Sequence, residues 1–339
     1  MTDQTKFFAL LRNLNVVVGL DEEGNLNVEA PAGVLTPDIV GQLRERKQEL
    51  VAYLGQLQGA KAALGRIAPA APAESYPLSS SQSRLWVINE VSGGDAVYNI
   101  PVCSELDGAV EPAGYEAALR RVIERHEILR TVFREDAHGS VRQWVLPAKD
   151  VDFRLPCHDL RNAPDPQAVV SRLVREDAGR PFDLRQGPLF RVMLFRLPEE
   201  KYAFYYNMHH IISDGWSINV LTRELAAGYE AGRLGVPATL PPLAIQYKDY
   251  AAWQREQLQS GPYRQHRQYW QQQLAGELPV LELPTAKARP AVQTHEGYAL
   301  RTVIGPEPVA ALRTLTNRHN ATLYMGLVAV LKVLLYRYT

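Results

Sequence analysis

Between Gly65 and Pro77 the chain reads GRIAPAAPAESYP, rich in Ala and Pro and short of bulky apolar residues. Such a stretch describes a semi-extended linker and not a packed element. It divides the chain into two unequal pieces. The expected organisation is a small module over residues 1–60, a linker over 61–75 and a larger domain over 76–339.

The small piece has a readable order. Phe7, Leu10, Leu11 and Leu14 recur at helical spacing in KFFALLRNLN and predict a short amphipathic helix. In VVVGLDEEGNLNVEA, Val16, Val18 and Leu20 alternate before a turn from Asp21 to Asn25, and Leu26, Val28 and Ala30 alternate after it, which predicts a β-hairpin. TPDIVGQLRERKQELVAYL then starts with Thr36 as N-cap and Pro37 in the first helical position, with Ile39, Leu43, Leu50, Val51 and Leu54 forming its apolar side. About sixty residues fold alone only marginally, and a two-stranded hairpin leaves edges that a partner strand can complete. A docking role is expected, with a helical cap on the larger domain as the other reading.

In the larger piece, helical patterns such as Tyr115, Ala118, Leu119, Val122 and Ile123 mix with strand-like runs such as VRQWVLP, LFRVMLFRL and KYAFYYNMHH. That mixture predicts a layered α/β (α+β) domain. The 339 residues balance 37 basic against 37 acidic side chains, so no field gathers nucleic acid or an anionic membrane. Cys103 and Cys157 make no metal-like spacing, MTDQTKFFAL lacks the basic start and apolar core of a secretory signal, and a cytoplasmic protein is expected. LYMGLVAVLKVLL, from Leu323 to Leu335, is too short to span a bilayer and reads as a buried helix.

The chemistry concentrates in NMHHIISDGWS, Asn207 to Ser217, where a chain with eight histidines sets two side by side. Period-two alternation puts Tyr202, Phe204, Tyr206, Met208 and His210 on one strand face and Ala203, Tyr205, Asn207 and His209 on the other. One imidazole can face a cavity while its neighbour is fixed in the scaffold. IISDGW supplies a turn into the helical pattern SINVLTRELAAGYEAG, so the motif sits where a strand meets a helix N-terminus, whose free N–H groups can hold a developing oxyanion. Acyl transfer to a nucleophile that must lose a proton fits this set, because a neutral imidazole accepts or positions a proton near pH 7. Asp214 can orient an imidazole or pair in the loop. A zinc site is the competing reading, although opposite-facing histidines suit one metal poorly and H-E-x-x-H is missing.

MHHIISDGWS resembles the HHxxxDG signature of nonribosomal peptide synthetase condensation domains. Three more segments resemble that family's motifs in order: LSSSQSRLWVI (Leu78 to Ile88), RHEILRTVF (Arg125 to Phe133) and YKDYAAW (Tyr247 to Trp253). Taken alone, RHEILR also reads as a solvated helix end and YKDYAAW as an amphipathic turn. Residues 1 to about 56 resemble the tubulysin-synthetase type of N-terminal docking domain.

The resemblance implies a chloramphenicol-acetyltransferase-like lobe to about residue 250 and the start of a second such lobe after it. It implies amide formation between a donor thioester and the α-amine of an acceptor aminoacyl thioester. Both would ride on 4'-phosphopantetheine arms supplied by donor and acceptor carrier proteins, with no cofactor or metal bound to the chain itself. His210 would be the catalytic histidine as base or positioner, His209 and Asp214 would be mainly structural, and the Gly215 N–H would be an oxyanion donor. The hairpin would receive the C-terminal tail of an upstream synthetase by strand addition. DGWS and YNIP (Tyr98 to Pro101) are similar to the subtype that condenses L-configured donors, and the D-x-x-x-x-D pattern of heterocyclisation domains is absent. The later G-x-F-V-N-T motif and the arginine expected to pair with Asp214 would lie beyond Thr339, which implies a C-terminally truncated domain. A carrier-independent acyltransferase of the same superfamily and a non-catalytic docking or scaffold piece are the alternative functions.

Overall fold

The computed structural model describes residues 7, 11, 16–21, 24–30, 35–63, 67–285, 297, 300 and 302–339, with backbone alone at 56–63, 107 and 262. By contact these fall into two units, 1–66 with 275–339 and 67–274.

In the N-terminal region β1 (Val17–Leu20) pairs antiparallel with β2 (Leu26–Glu29), Val18 opposite Val28. The turn between them is closed by Asn25 N–H on Asp21 Oδ1 at 2.7 Å and by Gly24 at φ +82°, an angle that suits only glycine at low cost. Phe7 and Leu11 are helical and buried, as the periodicity predicts, whereas Leu10 and Leu14 lie outside the described residues. With Val16, Ile39, Leu43 and Leu50 they form one core, against which Val18, Leu26, Val28 and Ala30 pack.

Thr36 caps α1 (Pro37–Glu45) as expected, its hydroxyl accepting from Ile39 N. The single helix read from Thr36 to Leu54 is instead two, broken at Arg46 before α2 (Lys47–Ala63). The Arg46 amide turns back to Gln42 O and Arg44 O, and its guanidinium lies 5.1 Å from the Phe7 ring centroid. α2 also runs three residues into the expected linker, over Lys61-Ala62-Ala63, consistent with alanine's helix preference.

The unit from 67 to 274 holds two sheets. β3 (Tyr76–Pro77), β6 (Val141–Val145) and β5 (Thr131–Glu135) form a small antiparallel one in that order. The larger has the order β4 (Asn99–Asp107), β9 (Lys201–His209), β8 (Phe190–Arg196), β7 (Cys157–Asp159), with β7 parallel to β8 and the rest antiparallel. This is the mixed α/β lobe that the alternating patterns predict.

Helices cover both faces of the large sheet. Tyr115, Ala118, Leu119, Val122 and Ile123 of α4 (Pro112–Arg125) and Leu225 of α6 (Gly215–Arg233) pack with Phe190, Val192, Tyr202, Phe204 and Met208. On the other face Val170 of α5 (Pro166–Ala178) meets Phe195, Ala203 and Tyr205. Each large apolar side chain buried this way contributes about 1.5–3 kcal/mol. α3 (Ser80–Val91) is capped by Ser79 and Gln82 in a reciprocal box. α7 (Tyr247–Gln259) and α8 (Gly261–Gln273) close the unit in sequence.

α9 (Pro306–Arg318) and α10 (Leu323–Tyr338) form a pair bent by 105°. A Cβ on Gly326 would sit 2.6 Å from Thr316 Cγ2, so glycine permits the close approach of the two helices. The expectation of a buried helix from Leu323 is corrected: α10 forms, but none of its residues is buried. A helix apolar all round needs partners on several sides, and among the described residues α9 supplies one. No single described helix is long and apolar enough to cross a membrane, although the bent pair together passes that test by length and composition.

Candidate active site

β9 delivers the histidine pair. Its register sets His209 beside Asn99 of β4, and the next amide, His210 N, donates to Tyr98 O at 2.8 Å. The strand ends at His209 and His210 opens the turn. As the alternation predicts, the two rings occupy different environments.

His209 is 1% exposed, with the rings of Tyr98 and Phe182 at 6.4 and 6.3 Å. Its Nδ1 accepts from Ile211 N at 3.1 Å, so the neutral ring carries its proton on Nε2. Burial, aided by the neighbouring His210, pulls its pKa down to about 4. The ring is thus held neutral near pH 7 and locked to its own turn. His210 is exposed and lines a cleft of about 1040 Å³.

Asp214 is the N-cap of α6. Its Oδ1 accepts from Ser217 Oγ at 2.6 Å and from Ser217 N at 2.7 Å. The Ser217 hydroxyl first, then its amide, hold the carboxyl below the ordinary aspartate range, with His210 contributing. The sequence allows Asp214 to orient an imidazole or to pair in the loop; its hydrogen bonds make it a helix cap. Gly215 opens α6, so its N–H has no acceptor within the helix. Beyond its chain neighbours and its own helix, a Cβ at Gly215 would meet open space among the described residues. Trp216, 80% exposed, stands at the cleft rim.

All four motif segments meet at this cleft. Ser81, Arg84, Leu85 and Ile88 come from the first, His126, Ile128 and Leu129 from the second, His210 to Asp214 with Trp216 and Ser217 from the third, and Tyr247 and Tyr250 from the fourth. Cross-links fix them together. Tyr247 Oη lies 3.0 Å from Ser79 Oγ, and Gln254 Oε1 accepts from Ser80 N at 2.8 Å. Asp249, 3% exposed, accepts from Gln246 N at 2.7 Å and from Ala70 N at 2.9 Å. Lys248 pairs with Glu127. YKDYAAW, readable as an amphipathic turn, is therefore the fastening of the first two motifs.

His126 was outside the sequence-derived site set, because RHEILR also reads as a solvated helix end. Its ring is buried to 14% exposure and bonded to Glu224, a partner 98 positions away that spacing could not reveal. The signal available was the motif itself. Among the described residues no group of three or more His, Cys, Asp or Glu side chains is placed to hold a metal ion.

Residues 73–339 match the model of the condensation domain, and residues 5–56 match that of the TubC N-terminal docking domain. The chain belongs to the condensation-domain family. A linear gramicidin synthase polypeptide of Brevibacillus parabrevis is 42% identical to it over 276 residues, covering 80% of this chain and 4% of that synthase polypeptide. The X-domain from teicoplanin biosynthesis superposes with a TM-score of 0.69 at 30% identity, over 80% of this chain and 59% of that one. The first condensation domain of the CDA synthetase has the same fold, with a TM-score of 0.65 at 22% identity over 79% of this chain and 63% of that one. This condensation-domain chain thus spans a small part of the peptide synthase it matches, with a docking domain ahead of the lobe.

Proposed function

We propose that the lobe forms an amide bond between a donor acyl or peptidyl thioester and the α-amine of an acceptor aminoacyl thioester. The observation that carries this reading is the convergence of four separate motif segments, His210 among them, on one cleft. The acceptor nitrogen attacks the thioester carbonyl, the C–N bond forms and the carbonyl π pair moves to oxygen. As the oxyanion collapses, the C–S bond breaks, the nitrogen loses its proton and the donor thiolate gains one. His210 takes or positions the proton on the amine, and the Gly215 N–H faces the developing oxyanion. His209 holds the strand end, and Asp214 caps the helix that carries Gly215.

Both thioesters arrive on 4'-phosphopantetheine arms of carrier proteins, and the protein works in the cytoplasm. Residues 1–60 act as a docking module joined by a linker over 61–75 to the condensation domain at 76–339, whose first lobe extends to about 250. The C-terminal tail of an upstream synthetase adds as a strand to the hairpin. Two facts support that mode: among the described residues β1 and β2 pair only with each other, and Val17 is 62% exposed.

The test is single-turnover product formation followed by mass spectrometry, using donor and acceptor aminoacyl carrier proteins. It compares this chain with one extended through a complete second lobe. A dipeptidyl thioester on the acceptor carrier is the expected product. A free acceptor amine used as well as the carrier-bound one points to a carrier-independent acyltransferase, and no product from either length with varied substrates overturns the reading.

A further inference from the structure

A second imidazole stands on the wall of the same cleft. His126 directly follows α4, and its Nε2 lies 2.7 Å from Oε2 of Glu224 on α6. That oxygen also accepts from Arg125 Nε at 3.0 Å. A carboxylate paired with a guanidinium is ionised and only accepts, so His126 Nε2 is the donor. In the neutral ring Nδ1 then carries the lone pair. Among the described residues Nδ1 meets no hydrogen-bond partner.

The backbone around this ring is held as firmly as the ring. Gln246 Nε2 donates to Arg125 O at 2.9 Å, and Gln246 Oε1 accepts from Glu127 N at 3.2 Å. One side chain thus clamps the residues on both sides of His126. Arg125 reaches on to Pro241 O at 2.6 Å, and His126 N closes the last turn of α4 on Val122 O at 3.0 Å. The end of a helix asks for a cap or water and nothing more. A tautomer fixed by a buried carboxylate, on a backbone clamped from two sides in a residue that lines a cleft, suits a preorganised acceptor.

We infer that His126 binds substrate: its Nδ1 accepts a hydrogen bond from an N–H of the pantetheine-linked aminoacyl group, and Glu224 is a positioning residue acting through it. The inference rests on the condensation reading above and adds to it a binding residue outside the HHxxxDG motif. The N–H comes either from the acceptor amine or from an amide of the pantetheine arm. Both present the same donor chemistry to Nδ1.

The experiment is calorimetric titration of this chain with aminoacyl-pantetheine and with the des-amino acyl-pantetheine, for wild type, His126→Gln and His126→Asn. Glutamine keeps a donor toward Glu224 without an acceptor at Nδ1, while asparagine returns an oxygen near the Nδ1 position. His126→Gln is expected to weaken aminoacyl-pantetheine about tenfold, the worth of one hydrogen bond, with its thermal unfolding unchanged. His126→Asn is expected to recover part of that loss; if it fails to fold, the glutamine variant decides alone. A tenfold loss on both ligands assigns the arm amide as donor, and a loss on the aminoacyl ligand alone assigns the amine. Wild-type affinity of His126→Gln for both ligands overturns the assignment, and does so without touching the condensation reading if His210→Ala still stops product formation. Should wild type bind neither ligand, this inference falls, while the condensation reading is decided separately by product formation from the two chain lengths.

Discussion

The two faces of β9 use polar groups in opposite ways. Behind the strand Asp177, 5% exposed, is a closed hub: it accepts from Arg191 Nε at 2.6 Å, Tyr205 Oη at 2.9 Å and Asn207 Nδ2 at 3.0 Å. Arg191 continues to Arg180 O and Pro181 O, and Asn99 Nδ2 donates to Ala178 O and Arg180 O. The end of α5 is thereby tied to the strand ends that present the histidines. On the cleft side the exposed His210 imidazole keeps its hydrogen-bonding capacity open, and the Gly215 amide, first in α6, has no acceptor within that helix. Both oxygens of the buried Asp177 carboxylate are engaged and so secure the fold, although Asn207 Oδ1 and Asn99 Oδ1 beside it meet no partner among the described residues.

Three experiments sharpen this contrast. The largest effect is expected from His210→Ala, which should cut single-turnover condensation by about 10²–10⁴-fold while leaving the urea midpoint unchanged. A similar loss of stability in that variant would move His210 to the scaffold side. Asp177→Ala strands the Arg191 charge, and it should lower unfolding free energy by roughly 3–5 kcal/mol. Denaturation at neutral pH measures it, and a loss below about 1 kcal/mol would mean that the hub is not what holds the strand ends.

The smallest of the three is a pH effect. His209 binds a proton only near pH 4 when folded and at its ordinary value of 6.5 when unfolded, so between these values the unfolded chain holds more protons. Stability should therefore fall as pH drops from 6.5 towards 4, by roughly 3 kcal/mol in total. A His209→Asn variant should flatten that slope, as urea melts across the range would reveal. An unchanged slope would assign the acid sensitivity to other groups.

How much was legible in the chain follows the same division. Local patterns carried the hairpin, the Thr36 cap, the apolar stripe of α4 and the opposed fates of His209 and His210, because alternation and helical spacing are short-range physics. The Asp177 hub, and the contacts of Glu224 with His126 and of Asp249 with Ala70, join distant positions, and no periodicity encodes them. The break at Arg46 and the exposure of α10 escaped for a related reason: hydropathy reports what a segment could bury, not what lies beside it.

Gln246 has a mechanical consequence. The same residue starts α7, where its amide bonds Asp249, and grips the chain on both sides of His126. A shift of α7 by more than the tolerance of a hydrogen bond must either break that grip or drag the imidazole along. The helix bearing YKDYAAW is therefore geared to the cleft wall, and a displacement imposed at its far end would be felt at His126 without any change in the residues between.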